Sequence, residues 1–245
     1  MKLFLSGYGK MGRMVEALAL EKGWQILGHG DITCPENYRS APKADVCIDF
    51  SGVGALPLLA DYVRRTKTPL LSGTTGLTEP DFDVLKELSK EVPVIWAANY
   101  STGIAVLRKM LREYAPVLSD WDKELVEKHH NQKVDAPSGT AKILLQELDP
   151  QQQALTVHGR EGQCGKRKKE EIGVFALRGG TVAGEHTVYF FGEDESLELT
   201  HKAGSRRIFA AGAVIAVFLL GIGMFRGIGG RRYSTVPSYE LMVRD

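Results

Sequence analysis

The apolar positions of this chain follow two rhythms, and the change between them divides it. In the first part, short continuous apolar runs alternate with longer segments whose apolar residues recur every three or four positions. Lys2 to Ser6 (KLFLS), Trp24 to Gly28, Ala44 to Ser51, Pro69 to Ser72 and Val92 to Ala97 read as buried strands. Arg13 to Glu21, Ala55 to Arg65 and Glu79 to Lys90 read as amphipathic helices between them. Strand and helix in alternation predict an α/β fold, a doubly wound parallel sheet with functional loops at the carboxyl ends of its strands. Near residue 100 the rhythm changes. Ile104 to Tyr114 reads as a helix, Asp122 to Lys128 as a strand, and Ala141 to Leu148 as a second helix. Ile172 to Arg178, Val182 to Gly192 and Ser196 to Lys202 then alternate apolar and polar residues, the period of sheet strands. The expectation is a first domain over 1–100 and a second α+β domain with a mainly β sheet over 101–206.

One run breaks both rhythms. Ile208 to Phe225 (IFAAGAVIAVFLLGIGMF) carries no charged or polar side chain, and Arg206, Arg207 and Arg226 flank it. It is at the short limit for a membrane span, and the rest of the chain reads as a soluble enzyme. The better reading is a helix buried on all sides, with Gly212, Gly221 and Gly223 allowing close backbone approach. Beyond it, Ser238 to Val243 offers one last short element.

Composition narrows the function classes. The 245 residues are 43% hydrophobic and 25% charged, ordinary for a soluble globular protein, with a formal net charge of +1. Nothing in that balance calls for nucleic acid or an anionic membrane. The run Lys166-Arg167-Lys168-Lys169 is followed at once by Glu170-Glu171 and reads as a solvated loop, a candidate rim for acidic ligands. Cys34, Cys47 and Cys164 are scattered and odd in number, so neither a disulfide framework nor a zinc site is expected. The chain opens on a strand-like run without the layout of a signal peptide, and a reducing cytoplasm is the expected location.

The first candidate chemistry follows the first strand. Gly7-Tyr8-Gly9-Lys10-Met11-Gly12 is a GxGxxG turn between a strand and a helix, the context that makes the motif informative. The first glycine allows the tight turn, the second lets a pyrophosphate approach the backbone, and the third lets helix and strand pack closely. Asp31 lies about 20 residues past Gly12, where an acid binds ribose hydroxyls. Asp31 would repel a 2′-phosphate, the next residue is Ile32, and the first basic residue afterwards is Arg39; NADH is therefore expected over NADPH. Phe50-Ser51, Gly73–Gly76 and Ala98–Gly103 stand at the other strand ends. Gly73-Thr74-Thr75-Gly76 is either a tight turn or a nicotinamide contact.

The second candidate is Glu124 to Ala141, ELVEKHHNQKVDAPSGTA. Its bland reading is a helix start, capped by Ser138 or Thr140 and entered through Pro137. The same start makes an anion site, since free N–H groups around Ser138, Gly139 and Thr140 would face a carboxylate beside two hydroxyls. Lys133 adds positive charge, and His129 or His130 adds an acid or base that works near neutral pH. Together they suit a small substrate carrying carboxylates.

With these residues on the page, the chain resembles the 4-hydroxy-tetrahydrodipicolinate reductase (dihydrodipicolinate reductase) family over nearly its whole length. The most specific part is the stretch from Glu124 to Ala141, where Glu124, Glu127, His129, Lys133, Asp135, Pro137, Ser138, Gly139, Thr140 and Ala141 match the family signature. The GxGxxG turn, Gly73–Gly76, Ala98 to Ser101, Arg178, Gly184-Glu185-His186, His201-Lys202-Ala203 and Ser205-Arg206 match as well. The resemblance implies a Rossmann-like first domain, NAD(P)H as cofactor, and a cyclic unsaturated dicarboxylate as substrate in diaminopimelate and lysine biosynthesis. It implies that His129 is the acid/base residue with Lys133 as its partner. His130 would bind one substrate carboxylate, and Ser138, Gly139 and Thr140 would hold another. The cofactor would be bound by Gly7, Tyr8, Gly9, Lys10, Met11, Gly12, Asp31 and Phe50, with Gly73, Thr74, Thr75, Ala98, Asn99 and Tyr100 on the nicotinamide side. It also implies a homotetramer built through the second domain's sheet, and a final helix, within 207–245, that returns to the first domain. No resident metal, nucleic-acid partner or membrane partner is implied.

Two departures concern the cofactor: the loop from Asp31 to Ala44 is short, and Ser51-Gly52 stands where the family commonly has an arginine. Two rival readings are another two-domain amino-acid dehydrogenase, which would not need the His-His…Lys…Ser-Gly-Thr constellation, and a non-catalytic NAD-binding sensor. A third, a protein anchored by residues 208–225, is testable by fractionation.

Overall fold

The computed structural model describes residues 1–221 and 240–242. The chain forms two compact units, one of Met1–Ser101 with the described residues from Arg207 onward, the other of Thr102–Arg206.

In the first unit, five parallel strands, β1 (Lys2–Ser6), β2 (Gln25–Gly30), β3 (Val46–Asp49), β4 (Leu70–Ser72) and β5 (Val94–Trp96), stand in the order β5-β4-β3-β1-β2. Their near-continuous apolar sequences follow from this position, since both faces are covered by helices. Leu3, Leu5, Ile48 and Leu71 enter one core cluster, and Phe4, Cys47 and Leu70 the other. The covering helices are α1 (Lys10–Glu21), α2 (Pro35–Ser40), α3 (Leu56–Thr66) and α4 (Glu79–Ser89). Helix α4 starts on a capping box, with the Thr78 hydroxyl and Asp81 carboxylate bonded to each other's end of the first turn. Helix α2 lies in the loop after Asp31 and is not predicted by its polar sequence; Tyr38 is its one buried residue, set against Phe4 and Ser6.

The apolar run after Arg206 forms α7, Arg207–Gly221, and packs on α1 within this unit. Ala210, Ala213, Val214, Ala216 and Val217 are buried in the same cluster as Leu3 and Val15. Gly212 permits close approach, because a Cβ there would clash with the Tyr100 carbonyl. Among the described residues no helix is long and apolar enough to cross a membrane. Residues 222–225 of the run, with Gly223, lie outside the described residues. The short element expected near the end is β11 (Glu240–Met242), antiparallel to β5.

In the second unit, α5 (Thr102–Tyr114), β6 (Asp122–His129), α6 (Gly139–Leu148), β7 (Leu155–Val157), β8 (Glu171–Arg178), β9 (Glu185–Phe191) and β10 (Ser196–Lys202) follow in sequence. The strands form a mixed sheet in the order β10-β9-β6-β8-β7. Helices α5 and α6 pack on one face, against Leu125, Ile172, Val174, Val188 and Phe190. One residue of the basic run departs from its reading as a solvated loop. Arg167 turns inward, donating to Asp122 at 2.7 Å and Glu124 at 3.3 Å, and Arg160 donates to the same Glu124. Arg160 and Arg167 are thus counter-ions of β6, while Lys166, Lys168 and Lys169 stay exposed as a solvated loop.

Candidate active site

Strand alternation creates the centre of the second unit. Leu125, Glu127 and His129 lie two residues apart on β6 and therefore share the helix-covered face. Leu125 enters the core, so Glu127 and His129 are carried inward too. Register then brings in neighbours from other strands. His186 of β9 stands opposite Glu127, His201 of β10 opposite His186, and Arg178 of β8 beside His129.

Glu127 is completely buried, and its carboxylate is the hub. It accepts the Ser138 backbone N–H at 3.0 and 3.2 Å and the Arg178 guanidinium at 2.8 Å. His186 Nε2 lies 3.6 Å from Glu127 Oε2, and His129 Nδ1 lies 3.5 Å from the same oxygen. Burial opposes the charge on Glu127, but the contacts with His186, Ser138 and Arg178 outweigh it and hold the carboxyl well below the usual carboxylate range. His129 is buried, packs edge-on against His186, and has an Nδ1 with no hydrogen-bond partner. Burial pushes its pKa down to about 4; Glu127 favours its protonation while His186, Lys133 and Arg178 oppose it. At neutral pH the imidazole of the free protein is therefore neutral. Gly184, at φ +154, lets the backbone pass close to this ring: a Cβ there would stand 3.1 Å from His129 Nε2.

The Ser-Gly-Thr turn divides its groups. Ser138 is the N-cap of α6, with its hydroxyl accepting the Ala141 N–H at 3.1 Å. The same hydroxyl meets His186 Nε2 at 3.1 Å, and the Ser138 N–H is taken by Glu127. Ser138 is thus a buried brace, while exposed Gly139 and half-buried Thr140 present the helix start. Lys133 forms an ion pair with Asp135 at 2.7 Å and stays largely buried. His130 Nε2 meets the Arg206 guanidinium at 3.0 Å, so the imidazole accepts there and Arg206 adds a cation. Glu127, His129 and His186 place ligand-type atoms within 4.8 Å of one another, and Arg178 already supplies positive charge to this grouping.

The first unit carries the other set. The GxGxxG turn is shaped as its spacing requires. Gly7 takes φ +85 against Ser51, and a Cβ on Gly12 would clash with the Gly7 carbonyl. A Cβ on Gly9 would meet nothing within 4 Å, which leaves the backbone open above the start of α1. A cleft of about 260 Å³ lies here, lined by Gly7, Gly9, Asp31, Ile32, Phe50 and Ser51 among others. A helix N-terminus behind an open glycine fits a pyrophosphate. Lys10 is exposed at the start of α1, whereas Met11 turns into the core. The Tyr8 hydroxyl bonds to Glu16, which also meets His29 Nε2 at 2.9 Å. The Tyr8 ring stacks on His29 with 3.9 Å between centroids. The Tyr8 contact lowers the pKa of Glu16, an acid on α1 that the motif alone does not reveal.

Among the residues expected on the nicotinamide side, Gly73 faces the Phe50 ring, and Phe50 packs edge-on to Tyr100. Several of these side chains already serve the scaffold. Thr74 Oγ1 donates to Asp49 at 2.8 Å, the Tyr100 hydroxyl to the Ser72 carbonyl at 2.7 Å, and Asn99 Oδ1 accepts the Ser101 N–H at 2.8 Å. Thr75 and Ala98 are exposed. These residues lie in the first unit, and His129, His130, Lys133 and the Ser-Gly-Thr turn in the second.

Four residues had no assigned role in the sequence: Glu127, Arg178, His186 and Arg206. The period of two on β6 places Glu127 beside His129 and was a legible signal. The partners from β8 and β9 depend on strand register and were not.

Comparison with known proteins agrees with both units. The model of the dihydrodipicolinate reductase N-terminus matches residues 1–100, and that of the C-terminus matches residues 103–225. A 4-hydroxy-tetrahydrodipicolinate reductase from Staphylococcus saprophyticus is 43% identical over 226 residues, covering 88% of this chain and 93% of the relative. One from Exiguobacterium sibiricum is 38% identical over 226 residues, covering 88% and 89%. A solved structure titled as a dipicolinate-bound dihydrodipicolinate reductase from Paenisporosarcina sp. TG-14 shares the fold, with a TM-score of 0.72 at 21% identity, covering 90% of this chain and 94% of that one. Both halves of the chain, with the glycine turn in one and the Glu127–His129 hub in the other, place it in the dihydrodipicolinate reductase family.

Proposed function

We propose that this chain reduces 4-hydroxy-tetrahydrodipicolinate, or its dehydrated dihydrodipicolinate form, to tetrahydrodipicolinate in the diaminopimelate and lysine pathway. The observation that carries the reading is the company His129 keeps. A neutral, buried imidazole stands in one unit with Lys133, a His130–Arg206 pair and the start of α6. That is one proton-transfer group among several sites for carboxylates, the recognition needs of a small cyclic dicarboxylate.

NAD(P)H supplies the hydride when bound, and the glycine turn, Asp31 and the Phe50–Gly73 surface are the residues that would hold it. The chain's own residues do the rest. Gly139 and Thr140 at the start of α6, with His130 and Arg206, would bind the two carboxylates and fix the ring. The arriving negative charge raises the proton affinity of His129, which takes a proton from water at Nε2 and passes it to the carbon next to the one that accepts hydride, returning to the neutral imidazole. Lys133, partnered with Asp135, holds positive charge near the same centre.

NADH is the proposed preferred cofactor. Asp31 accepts the Thr33 N–H at 2.9 Å and its hydroxyl at 2.8 Å, and these bonds hold its carboxyl below the usual range. The charged Asp31, with exposed Ile32 after it, would repel a 2′-phosphate. We further propose a cytoplasmic homotetramer. Val126, Leu177, Tyr189 and Phe191 lie on the sheet face away from α5 and α6, and Leu177 and Phe191 are 48% and 43% exposed. A second copy covering that face would remove this apolar surface from water.

The test is oxidation of NADH at 340 nm in a mix where the upstream synthase forms the substrate from pyruvate and aspartate semialdehyde. Synthase-dependent oxidation, faster with NADH than NADPH, is the expected result. NADH binding without turnover would replace the enzyme with a sensor. Light scattering on a sizing column reads the tetramer.

A further inference from the structure

We propose that Glu127 is the positioning residue of this site: its buried carboxylate fixes the orientation and tautomer of His129 and, through Ser138, the pose of the turn that receives the substrate. The inference rests on the reduction reading for its catalytic consequence, but not for the geometry.

Four groups converge on this one side chain. The Ser138 N–H and the Arg178 guanidinium bond to it, and His129 Nδ1 and His186 Nε2 face Oε2 at 3.5 and 3.6 Å. His129 Nδ1 is buried with no hydrogen-bond partner, so the nearby anion decides what that atom carries. A hydrogen on Nδ1 points a positive dipole at the carboxylate, whereas a lone pair there is repelled. The neutral ring is thus set as the Nδ1–H tautomer, and Nε2 is left as the atom that takes and gives the working proton. The groups facing His129 are Glu127 on its own strand, Arg178 on β8, His186 on β9 with His201 behind it on β10, and Lys133 from the loop. Of these, Glu127 alone favours the imidazolium. Arg178 in turn stabilises Glu127, which lets a charged carboxylate persist where water does not reach.

The second arm of the proposal is mechanical. The bond from Ser138 to Glu127 ties the start of α6 to β6, so the imidazole and the carboxylate-binding turn share one anchor.

The decisive measurement is a long-range ¹H–¹⁵N spectrum of the imidazoles in the free, full-length protein at pH 7. Glu127→Gln keeps an acceptor for Ser138 and removes the charge; Glu127→Asp keeps the charge and moves it back. The wild type is expected to show His129 with Nδ1 protonated and Nε2 bare. Glu127→Gln is expected to lose that preference and to lower kcat about a hundredfold or more with NADH affinity unchanged, and Glu127→Asp to recover part of kcat. A wild-type His129 protonated at Nε2 would overturn the proposal, whether or not the variants fold. So would a folded Glu127→Gln protein with the same tautomer and unaltered kcat. A wild type with the Nδ1–H tautomer but no turnover on the dicarboxylate sinks the reduction reading alone and leaves the positioning role standing.

Discussion

Asp49 in the first unit and Glu127 in the second are both carboxylates almost wholly removed from water, and the two are satisfied by opposite means. Asp49, at the end of β3, is enclosed by hydroxyls: Ser6 at 2.8 Å, Ser51 at 2.6 Å, Ser72 at 2.7 Å and Thr74 at 2.8 Å. Those donors are neutral and come from the carboxyl ends of β1, β3 and β4 and the loops beyond them. They tie the strand ends that carry the dinucleotide cleft into one rigid rim. Glu127, near the end of β6, is enclosed by an arginine, a backbone amide and two imidazoles. A ring of hydroxyls has nothing to titrate near neutral pH, so Asp49 is a structural knot. A ring that includes His129 can gain and lose a proton, and we place Glu127 with the proposed chemistry. Burial alone does not mark a functional acid; the ionisation of its neighbours does.

The comparison breaks most sharply at His129. His129→Ala is expected to lower kcat by about 10²–10⁴-fold while fluorescence titration returns an unchanged NADH affinity. An unchanged kcat would make the Glu127 hub as structural as the Asp49 knot.

Asp49→Ala tests the other side. It strips the acceptor from four hydroxyls and should cost about 3 kcal/mol in urea unfolding, as for buried polar groups left unsatisfied. The pH dependence of kcat should not move, since the groups bonded to Asp49 are hydroxyls that do not titrate near neutral pH.

Acid should separate the two knots by stability as well. His129 binds its proton at about 4 when folded and near 6.5 when unfolded, so the unfolded chain holds more protons between those values. Stability therefore rises with pH across that window and falls as pH drops from about 6.5 toward 4, by up to about 3 kcal/mol from this group. Glu127, depressed in the folded state, loses its contribution in the same direction as acid is added. Replacing His129 with Gln should flatten the loss measured by thermal melts at pH 7 and pH 4.5, and an unflattened curve would place the acid sensitivity elsewhere.

The smallest effect expected is at Thr140. Thr140→Ala should raise the substrate KM about tenfold with kcat little changed, the loss of one hydrogen bond to a charged group.

The first unit was legible almost element by element because its strands are buried on both faces, and an apolar run of four or five residues between helices has few other places to go. Its cleft was legible for a related reason, since Gly7, Gly9 and Gly12 act through the local backbone. Helix α2 escaped notice because only Tyr38 of its residues is buried. In the second unit the stretch around His129 announced its chemistry, and the pairing of Glu127 with His129 followed from the period of β6. The inward turn of Arg167 did not, because its partners Asp122 and Glu124 are more than forty residues away in sequence, and a basic run looks the same whether it faces water or its own sheet.

By itself the sequence determined the alternation of strand and helix, the glycine turn, the change of rhythm near residue 100 and the family to which the chain belongs. These are properties of neighbours in the chain, set by local backbone freedom and by the period of apolar side chains. The tertiary structure decided that Ser138 is a brace, that Glu127 is charged, and that His129 is neutral in the free protein. A side chain's protonation depends on its desolvation and on charges a few ångströms away, and in this site those charges come from Arg178 and His186, on strands whose register the folded sheet alone sets.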